Sequence, residues 1–241
     1  MSPAQAFATP TSTDIRANLE AIRERIARAA ERAGRNPDDV TLVGASKKVP
    51  VERIELALEA GLRHIGENFV QEATPKHDII GARATWHFIG HLQRNKVKYV
   101  LPRFDVIESV DSRRLAREIS KRATQAQRQM RVLMQVNVGD ETTKFGVAPE
   151  QSHELAATMA GLEGLALSGL MAMPPMEADP EDSRRYFVAL RELRDAIEGS
   201  HPGMKLPHLS MGMTHDFEVA VQEGATIVRV GTGIFGPRPT P

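Results

Sequence analysis

Apolar and polar positions follow two different periods along this chain of 241 residues. Over residues 13–34, Ile15, Leu19, Ile22 and Ile26 recur at helical spacing and predict an amphipathic helix. After it, short β-rich runs alternate with helix-like segments. The runs that predict strands are 40–46, 64–67, 85–90, 104–110, 131–138, 165–173, 206–211 and 226–231.

This alternation predicts the fold. Strands separated by helices pair in parallel through right-handed crossovers. Eight strands, the helices between them and one leading helix favour an α/β fold of the single-domain, TIM-like (β/α)8 barrel type over an open doubly wound sheet. The helical segments near 70–80 and 94–101 are the weakest. We expect residues 13–241 to form this barrel domain and residues 1–12 to form a loose N-terminal tail.

Composition restricts the partners and the location. Since 31 basic side chains balance 31 acidic ones, no net charge attracts nucleic acid or an anionic membrane. The chain has no cysteine, which excludes disulfides and thiolate metal sites. No apolar run reaches the roughly 18 residues of a membrane span, and the first residues lack a secretory signal pattern. We therefore expect a cytoplasmic protein without a nucleic-acid or membrane partner.

Active sites of such barrels lie where the strands end, at the C-terminal face. The residues at the exits of the predicted strands are therefore the candidates for binding and chemistry. They are Lys47, Asn68, His91, Ser109, Asn137 with the loop residue Lys144, Met173, Ser210, and Arg229 with Gly231 and Thr232.

The loops after the last two strands read SMGMTHD and GTGIFG. Barrels frequently bind phosphate there, because glycines let backbone N–H groups approach and hydroxyls add donors. Either loop alone also fits a tight turn, but the pair favours a phosphate site. The candidate phosphate ligands are Ser210, Gly212, Met213, Gly231 and Thr232. GTGIFG also matches a dinucleotide fingerprint, but that fingerprint requires an acidic residue roughly 20 positions further on, and the sequence ends at Pro241. We therefore expect a phosphate site here and not a dinucleotide site.

Two cationic side chains add chemistry to this site. Arg229 lies between two valines on the last strand, so it points into the barrel if the valines meet the helices. A buried guanidinium needs an acceptor, and either a carboxylate or a ligand would serve. Lys47 and Lys48 leave an extended strand on opposite faces, and Lys47 shares its face with Val43 and Ala45. A lysine directed into the barrel mouth beside a phosphate site suggests a carbonyl compound held as a Schiff base. With a polar partner for a ring nitrogen, this combination describes a site for pyridoxal phosphate.

Several motifs between about residues 41 and 236 carry a family resemblance. They are GASKKVP, HIGENFVQE, WHFIGHLQRNK, TTKFGV, GLMAMPP, LSMGMTHDFEVAV and RVGTGIFG. With these motifs the chain resembles the pyridoxal-phosphate homeostasis proteins (the YggS/PROSC family), which are related in fold to the barrel domain of alanine racemase. The resemblance implies that the protein binds pyridoxal phosphate and takes part in intracellular homeostasis of this form of vitamin B6.

The resemblance also implies roles for individual residues. Lys47 would form the Schiff base, Asn68 would lie near the cofactor and Arg229 would lie by the pyridine nitrogen. Lys144 matches a lysine near the open side of the cofactor. The implied phosphate contacts are Ser210, Met213, Gly231 and Thr232. The family's S-K-T-K-P reads S-K-K-V-P here, so any role of its second lysine does not carry over to Val49.

Two functions remain open. One is a carrier that holds pyridoxal phosphate and passes it to cofactor-free enzymes. The other is an amino-acid racemase, which needs an acid or base on each face of the substrate, whereas Lys47 supplies only one. Tyr99 and Tyr186 both lie in predicted helices, and the domain that the resemblance associates with the racemase tyrosine has no residues left to form it. A Schiff-base aldolase is a third alternative. We expect the carrier and no enzymatic activity.

The histidines do not indicate a metal site. His87 and His91 have helical metal-pair spacing, but they lie on a predicted strand, where that spacing does not converge. We expect His91 at the pocket mouth, His87 in the core and no metal.

Overall fold

Eight parallel strands close into a barrel in the computed structural model, which describes residues 12–139 and 145–237. Each strand pairs with the next, and the last pairs with the first, as the alternation predicts. The strands are β1 Thr41–Ala45, β2 His64–Glu67, β3 Thr85–Phe88, β4 Val106–Val110, β5 Met130–Gln135, β6 Leu165–Met171, β7 His208–Ser210 and β8 Ile227–Val230. Each overlaps the run that predicts it. Lys144 and the first eleven residues of the expected tail lie outside the described residues.

Helices surround this barrel. They are α1 Ser12–Arg32, α2 Val51–Glu59, α3 Val70–Ile80, α4 Val97–Val100, α5 Arg113–Gln125, α6 Pro149–Ala160, α7 Arg184–Ser200, α8 Phe217–Gln222 and α9 Thr232–Phe235. The leading helix α1 buries Ile15, Leu19, Ile22 and Ile26 and packs on α2, α8 and α9. It therefore covers the barrel where β8 meets β1.

The two weak helical segments differ in the structure. The first is the helix α3, which contains Pro75. A proline lacks the N–H that a helix interior needs, which explains the weak signal. The second is a short 3-10 turn at Arg94–Lys96 followed by the single turn of α4. No helix within residues 12–139 and 145–237 is long and apolar enough to span a membrane.

The barrel interior is partly polar. A small apolar cluster fills part of it, formed by Val43, Leu133, Met171 and Ile227. The interior also holds polar side chains that are at most 3% exposed, among them His87, Glu108, Ser210 and Arg229. Interiors of such barrels are usually filled with branched apolar side chains. Charged groups buried in this position need partners. The contacts that these polar side chains make with one another lie in the barrel interior beneath the candidate site.

Candidate functional site

A cavity of about 520 Å³ opens at the C-terminal face of the barrel. Its wall comes from the segments that follow β2, β3, β5 and β6, as the barrel rule predicts. Lining residues include Asn68, Phe69, Gly90, His91, Phe145 and Met173. The His91 ring stacks on the Phe145 ring with centroids 3.7 Å apart. The volume lies within the range of small-molecule sites, about 300–1,000 Å³.

Lys47 lies beside this cavity. The first strand ends at Ala45, and the chain then turns so that the Val49 N–H donates to the Ser46 carbonyl at 2.9 Å. The Lys47 ammonium is 5.0 Å from the centroid of the Phe69 ring, which lines the cavity wall. Lys48 is exposed instead and has a φ of 60°. The two adjacent lysines therefore have different environments, but the cause is the turn and not the strand period, because β1 ends before both residues.

The loops after β7 and β8 meet each other near the end of β1. A Cβ atom at Gly231 would lie 3.2 Å from the Ala45 carbonyl oxygen, so this loop passes close to the turn that carries Lys47. The Thr232 hydroxyl lies 3.4 Å from the Thr214 hydroxyl, which joins the two loops. The fold thus brings the predicted phosphate loops and Lys47 to the same side of the barrel mouth.

Two glycine-loop donors have partners within the protein. The Met213 N–H donates to Asp216 Oδ1 at 2.7 Å, in a turn that precedes α8. The Ser210 hydroxyl is fully buried and donates to Glu108 Oε2 at 2.5 Å. Gly212 has a φ of 90°, and a Cβ there would lie 2.6 Å from the Ala220 Cβ, so the turn requires glycine.

Arg229 points into the barrel, as its position between two outward-facing valines predicts, and it ends a chain of buried polar groups. Its guanidinium donates to the Ser210 hydroxyl, donates to the Ala172 carbonyl at 2.8 Å and lies 3.8 Å from Glu108 Oε2. The other Glu108 oxygen is 2.6 Å from His87 Nδ1, and His87 Nε2 is 3.1 Å from His64 Nδ1. This series of polar contacts links β8, β7, β4, β3 and β2 across the barrel interior.

The sequence leaves open whether a carboxylate or a ligand is the partner of the buried Arg229 guanidinium. In the structure Glu108 is such a carboxylate, although it was not among the predicted site residues. Within the described residues, the Arg229 guanidinium donates hydrogen bonds to the Ser210 hydroxyl and the Ala172 carbonyl, and it forms an ion pair with the Glu108 carboxylate. A glutamate inside the apolar run VIESV could have signalled a buried counterion, because carboxylates are rarely buried without a partner. Ser109 lies one position before the end of β4, as in the predicted strand 104–110, and it is fully buried. Burial alone would raise the pKa of Glu108, but His87 and Arg229 lower it below its ordinary value.

Other predicted positions have plain structural roles. His87 is a core residue, as expected, and His91 lies in the cavity wall. The Asn137 N–H donates to the Val147 carbonyl at 2.9 Å, next to the bridge that follows β5. Among residues 12–139 and 145–237, no group of three or more His, Cys, Asp or Glu side chains could hold a metal ion.

His64 is expected to make the stability pH-dependent. Burial, together with the nearby His87 and Arg131, lowers its pKa from 6.5 to about 4. Between these pH values the unfolded chain takes up a proton that the folded protein does not, so stability falls as the pH falls. At full burial the loss would be about 3 kcal/mol, and solvent screening of this half-buried ring reduces it to about 1–2 kcal/mol. Urea unfolding of His64→Gln at pH 6.5 and 4.5 should show a smaller loss than the wild type. An equal loss in both would contradict the assignment, and His153→Gln on α6 is the control.

The fold and this site define a class of protein, a parallel (β/α)8 barrel with a lysine in the turn after its first strand and glycine loops after its last two strands. The family model of the alanine racemase N-terminal domain matches residues 17–239. Alanine racemase of Clostridium difficile 630 shares the barrel with a TM-score of 0.74 at 18% identity, which shows the fold alone. The match covers 95% of this chain and 61% of that racemase.

Within this class, the chain belongs to the pyridoxal phosphate homeostasis protein family. It is 49% identical over 221 residues to the protein of that name from Aquifex aeolicus, covering 91% of this chain and 96% of the relative. It is also similar to the structure of PipY from Synechococcus elongatus with PLP bound. That match has 32% identity and a TM-score of 0.82, and it covers 92% of this chain and 100% of PipY. The resemblance carried by the motifs is thereby confirmed.

Proposed function

We propose that this protein binds pyridoxal phosphate in the cavity at the C-terminal face and holds it covalently through Lys47. The observation that carries the proposal is the Lys47 ammonium beside the cavity wall, 5.0 Å from the Phe69 ring centroid, on the side of the mouth where two glycine loops meet. The PLP bound to the relative PipY supports it. When bound, pyridoxal phosphate supplies an aldehyde that condenses with an amine and a ring that withdraws electrons.

The described candidate residues supply the groups that this cofactor needs, and among them Asn68 lines the cavity itself. A cavity of about 520 Å³ accommodates a ligand of this size. Lys47 would supply the amine, and Arg229 would meet the ring from the barrel interior. Asn68 lines the cavity and would lie against the bound ring. Lys144 remains a proposed contact on the open side of the cofactor.

The proposed phosphate contacts differ in how readily their donors become available. Gly231 and Thr232 are the more available pair, because the Thr232 hydroxyl has only a 3.4 Å contact to Thr214. Ser210 and Met213 would have to exchange hydrogen bonds to the carboxylates of Glu108 and Asp216 for bonds to phosphate. Since hydrogen bonds to charged groups are strong, we propose that the loop after β8 contributes more to phosphate binding than the loop after β7.

We propose that the role is that of a carrier that hands the cofactor to cofactor-free enzymes, rather than catalysis. A racemase needs a second acid or base opposite Lys47. Tyr186 lies on α7 and its hydroxyl contacts Glu177 at 3.0 Å, and Tyr99 lies on α4. Neither tyrosine lines the part of the cavity that the structure describes, whereas His91 does. His91 and Lys96 are therefore the titratable side chains of the described cavity wall that a racemase function could use.

Borohydride reduction of the loaded protein, followed by peptide mapping, is expected to place the pyridoxyl group on Lys47. Lys47→Ala should abolish this labelling, and Lys48→Ala should leave it unchanged because Lys48 is exposed outside the cavity. Labelling that moves to Lys48, or that survives Lys47→Ala, would overturn the attachment site.

The carrier role is tested with the same loaded protein. It is incubated with amino acids in heavy water, and α-carbon deuterium and the D-enantiomer are measured. A parallel sample is mixed with a cofactor-free pyridoxal-phosphate enzyme, whose recovery of activity is followed. We expect transfer with little exchange. Sustained exchange that His91→Gln abolishes would establish the racemase instead.

A further inference from the structure

The turn that carries Lys47 has an unfavourable backbone conformation. Lys48 is one of two non-glycine residues in the described ranges with a positive φ, here 60°. L-residues with side chains rarely adopt this left-handed region, and a turn with a positive φ at its third residue usually has glycine or asparagine there. Such a conformation persists only where surrounding contacts hold it, and it occurs preferentially at functional sites.

Helix α3 supplies those contacts, on both sides of Lys47. The Lys76 ammonium donates to the Ser46 carbonyl at 2.7 Å, which is part of the peptide group that precedes Lys47. The Lys48 N–H, which belongs to the peptide group that follows Lys47, donates to Glu72 Oε1. Lys76 also donates to that same Glu72 oxygen at 2.8 Å. Both peptide groups that flank Lys47 are thus joined to a single ion pair on α3.

A buried carboxylate completes this arrangement. Glu67, at the end of β2, is fully buried and accepts from Lys76 at 2.7 Å and from the Ser46 hydroxyl at 2.7 Å. The Lys76 side chain is only 9% exposed. Burial raises the pKa of Glu67, and Lys76 opposes that rise. Buried ion pairs are weak contributors to stability, since apolar side chains of similar volume often do as well. Stability alone therefore does not explain why Lys76 is buried here, and the geometry of its contacts suggests another role.

We propose that Lys76 and Glu72 are positioning residues that fix the turn on both sides of Lys47 and so direct its amine toward the cavity. This inference rests on the proposed attachment of the cofactor to Lys47. Neither side chain lines the cavity as the structure describes it, so both act through the backbone of the turn. Without them the Lys48 N–H would lose its acceptor, and its left-handed conformation would no longer be held. The Lys47 side chain would then sample directions away from the cavity.

The experiment measures how fast Lys47 reacts. The rate of adduct formation with pyridoxal phosphate is followed by absorbance, and the amine is separately labelled with trace acetic anhydride in the absence of cofactor over a range of pH. Lys76→Met removes the donor at similar volume, and Glu72→Ala removes the acceptor of the Lys48 N–H while keeping the Lys76 to Glu67 pair. Thr74→Val on the same helix is the control, because the Thr74 hydroxyl contacts the Val70 carbonyl.

We expect adduct formation to be at least tenfold slower in Lys76→Met and in Glu72→Ala, and within twofold of wild type in Thr74→Val. Lys76→Arg, which restores a cationic donor, should recover most of the rate. The acetylation profile of Lys47 should change in the two slow variants and not in the control. Wild-type rates in folded Lys76→Met, or in Glu72→Ala should Lys76→Met not fold, would overturn the inference. A wild-type protein that forms no adduct at Lys47 would instead overturn the proposed function.

Discussion

Glu108→Gln is expected to lower the free energy of unfolding by about 3–5 kcal/mol, because it leaves the buried Arg229 guanidinium without its carboxylate. Arg229 is 3% exposed and Glu108 is fully buried, so water cannot replace the lost partner. The glutamine keeps the volume and can still contact Ser210 and His87, which makes the lost charge the main change. Urea unfolding at pH 7 measures the effect, where the lowered pKa of Glu108 keeps the wild-type carboxylate ionised.

A double variant and an exposed pair serve as controls for this result. Glu108→Gln combined with Arg229→Gln removes both charges, so it should recover part of the stability that the single variant loses. Glu177→Gln breaks the pair with Arg185, whose side chain is 66% exposed, and should cost at most about 1 kcal/mol. A loss below about 1 kcal/mol for Glu108→Gln would show that Arg229 does not depend on this carboxylate.

The barrel could be predicted from the sequence because its signals are local. Each strand is a short apolar or β-rich run, and most are followed by a segment with helical spacing, so the order of elements follows from neighbouring residues. The inward direction of Arg229 also followed from a local rule, the period of two along β8. The same rule does not explain the separate environments of Lys47 and Lys48, because both residues lie in the turn after β1.

The partners of these residues could not be predicted, because they come from distant parts of the chain. Ser210 and Glu108 form a hydrogen bond although they are 102 positions apart. Which interior side chains meet depends on how far the strands are staggered around the barrel, and a single sequence does not reveal that stagger. The sequence therefore could not show that Glu108 competes with a phosphate group for the Ser210 hydroxyl.

Lys76 was missed for a different reason. It lies on α3, whose helical pattern is weakened by the neighbouring Pro75, and a lysine on a helix is usually solvated. Its burial depends on the two carboxylates of Glu67 and Glu72, which the chain brings to the same place only when β2 and α3 pack together. The motif HIGENFVQE contains both carboxylates, but spacing alone does not show that they face one ammonium.

Gly90→Ala is expected to destabilise the protein by about 3 kcal/mol or more and to close part of the cavity. A Cβ at this position would lie 2.3 Å from the Asn68 carbonyl oxygen and 2.7 Å from the Asn68 Cα. Both are backbone atoms of the residue that follows β2, so no side-chain rotation can relieve the overlap, and the chain segments after β2 and β3 must separate where they form the cavity wall. Insertion of one methyl group into a tight core usually costs about 1–3 kcal/mol, and a rigid backbone neighbour brings the cost to the upper end or beyond.

Gly199→Ala is the matched control, because the same methyl group meets no atom within 4 Å at that position on α7. Alanine has a higher helix propensity than glycine, so this variant should be unchanged or more stable by up to about 1 kcal/mol. Urea unfolding measures both variants, and titration with pyridoxal phosphate measures the cavity. Gly90→Ala should bind at least tenfold more weakly, since Asn68 would move away from the site, whereas Gly199→Ala should bind as the wild type does. Wild-type stability and binding in Gly90→Ala would show that the close approach of the two strand ends is not required, and that the cavity wall can adjust around an additional methyl group.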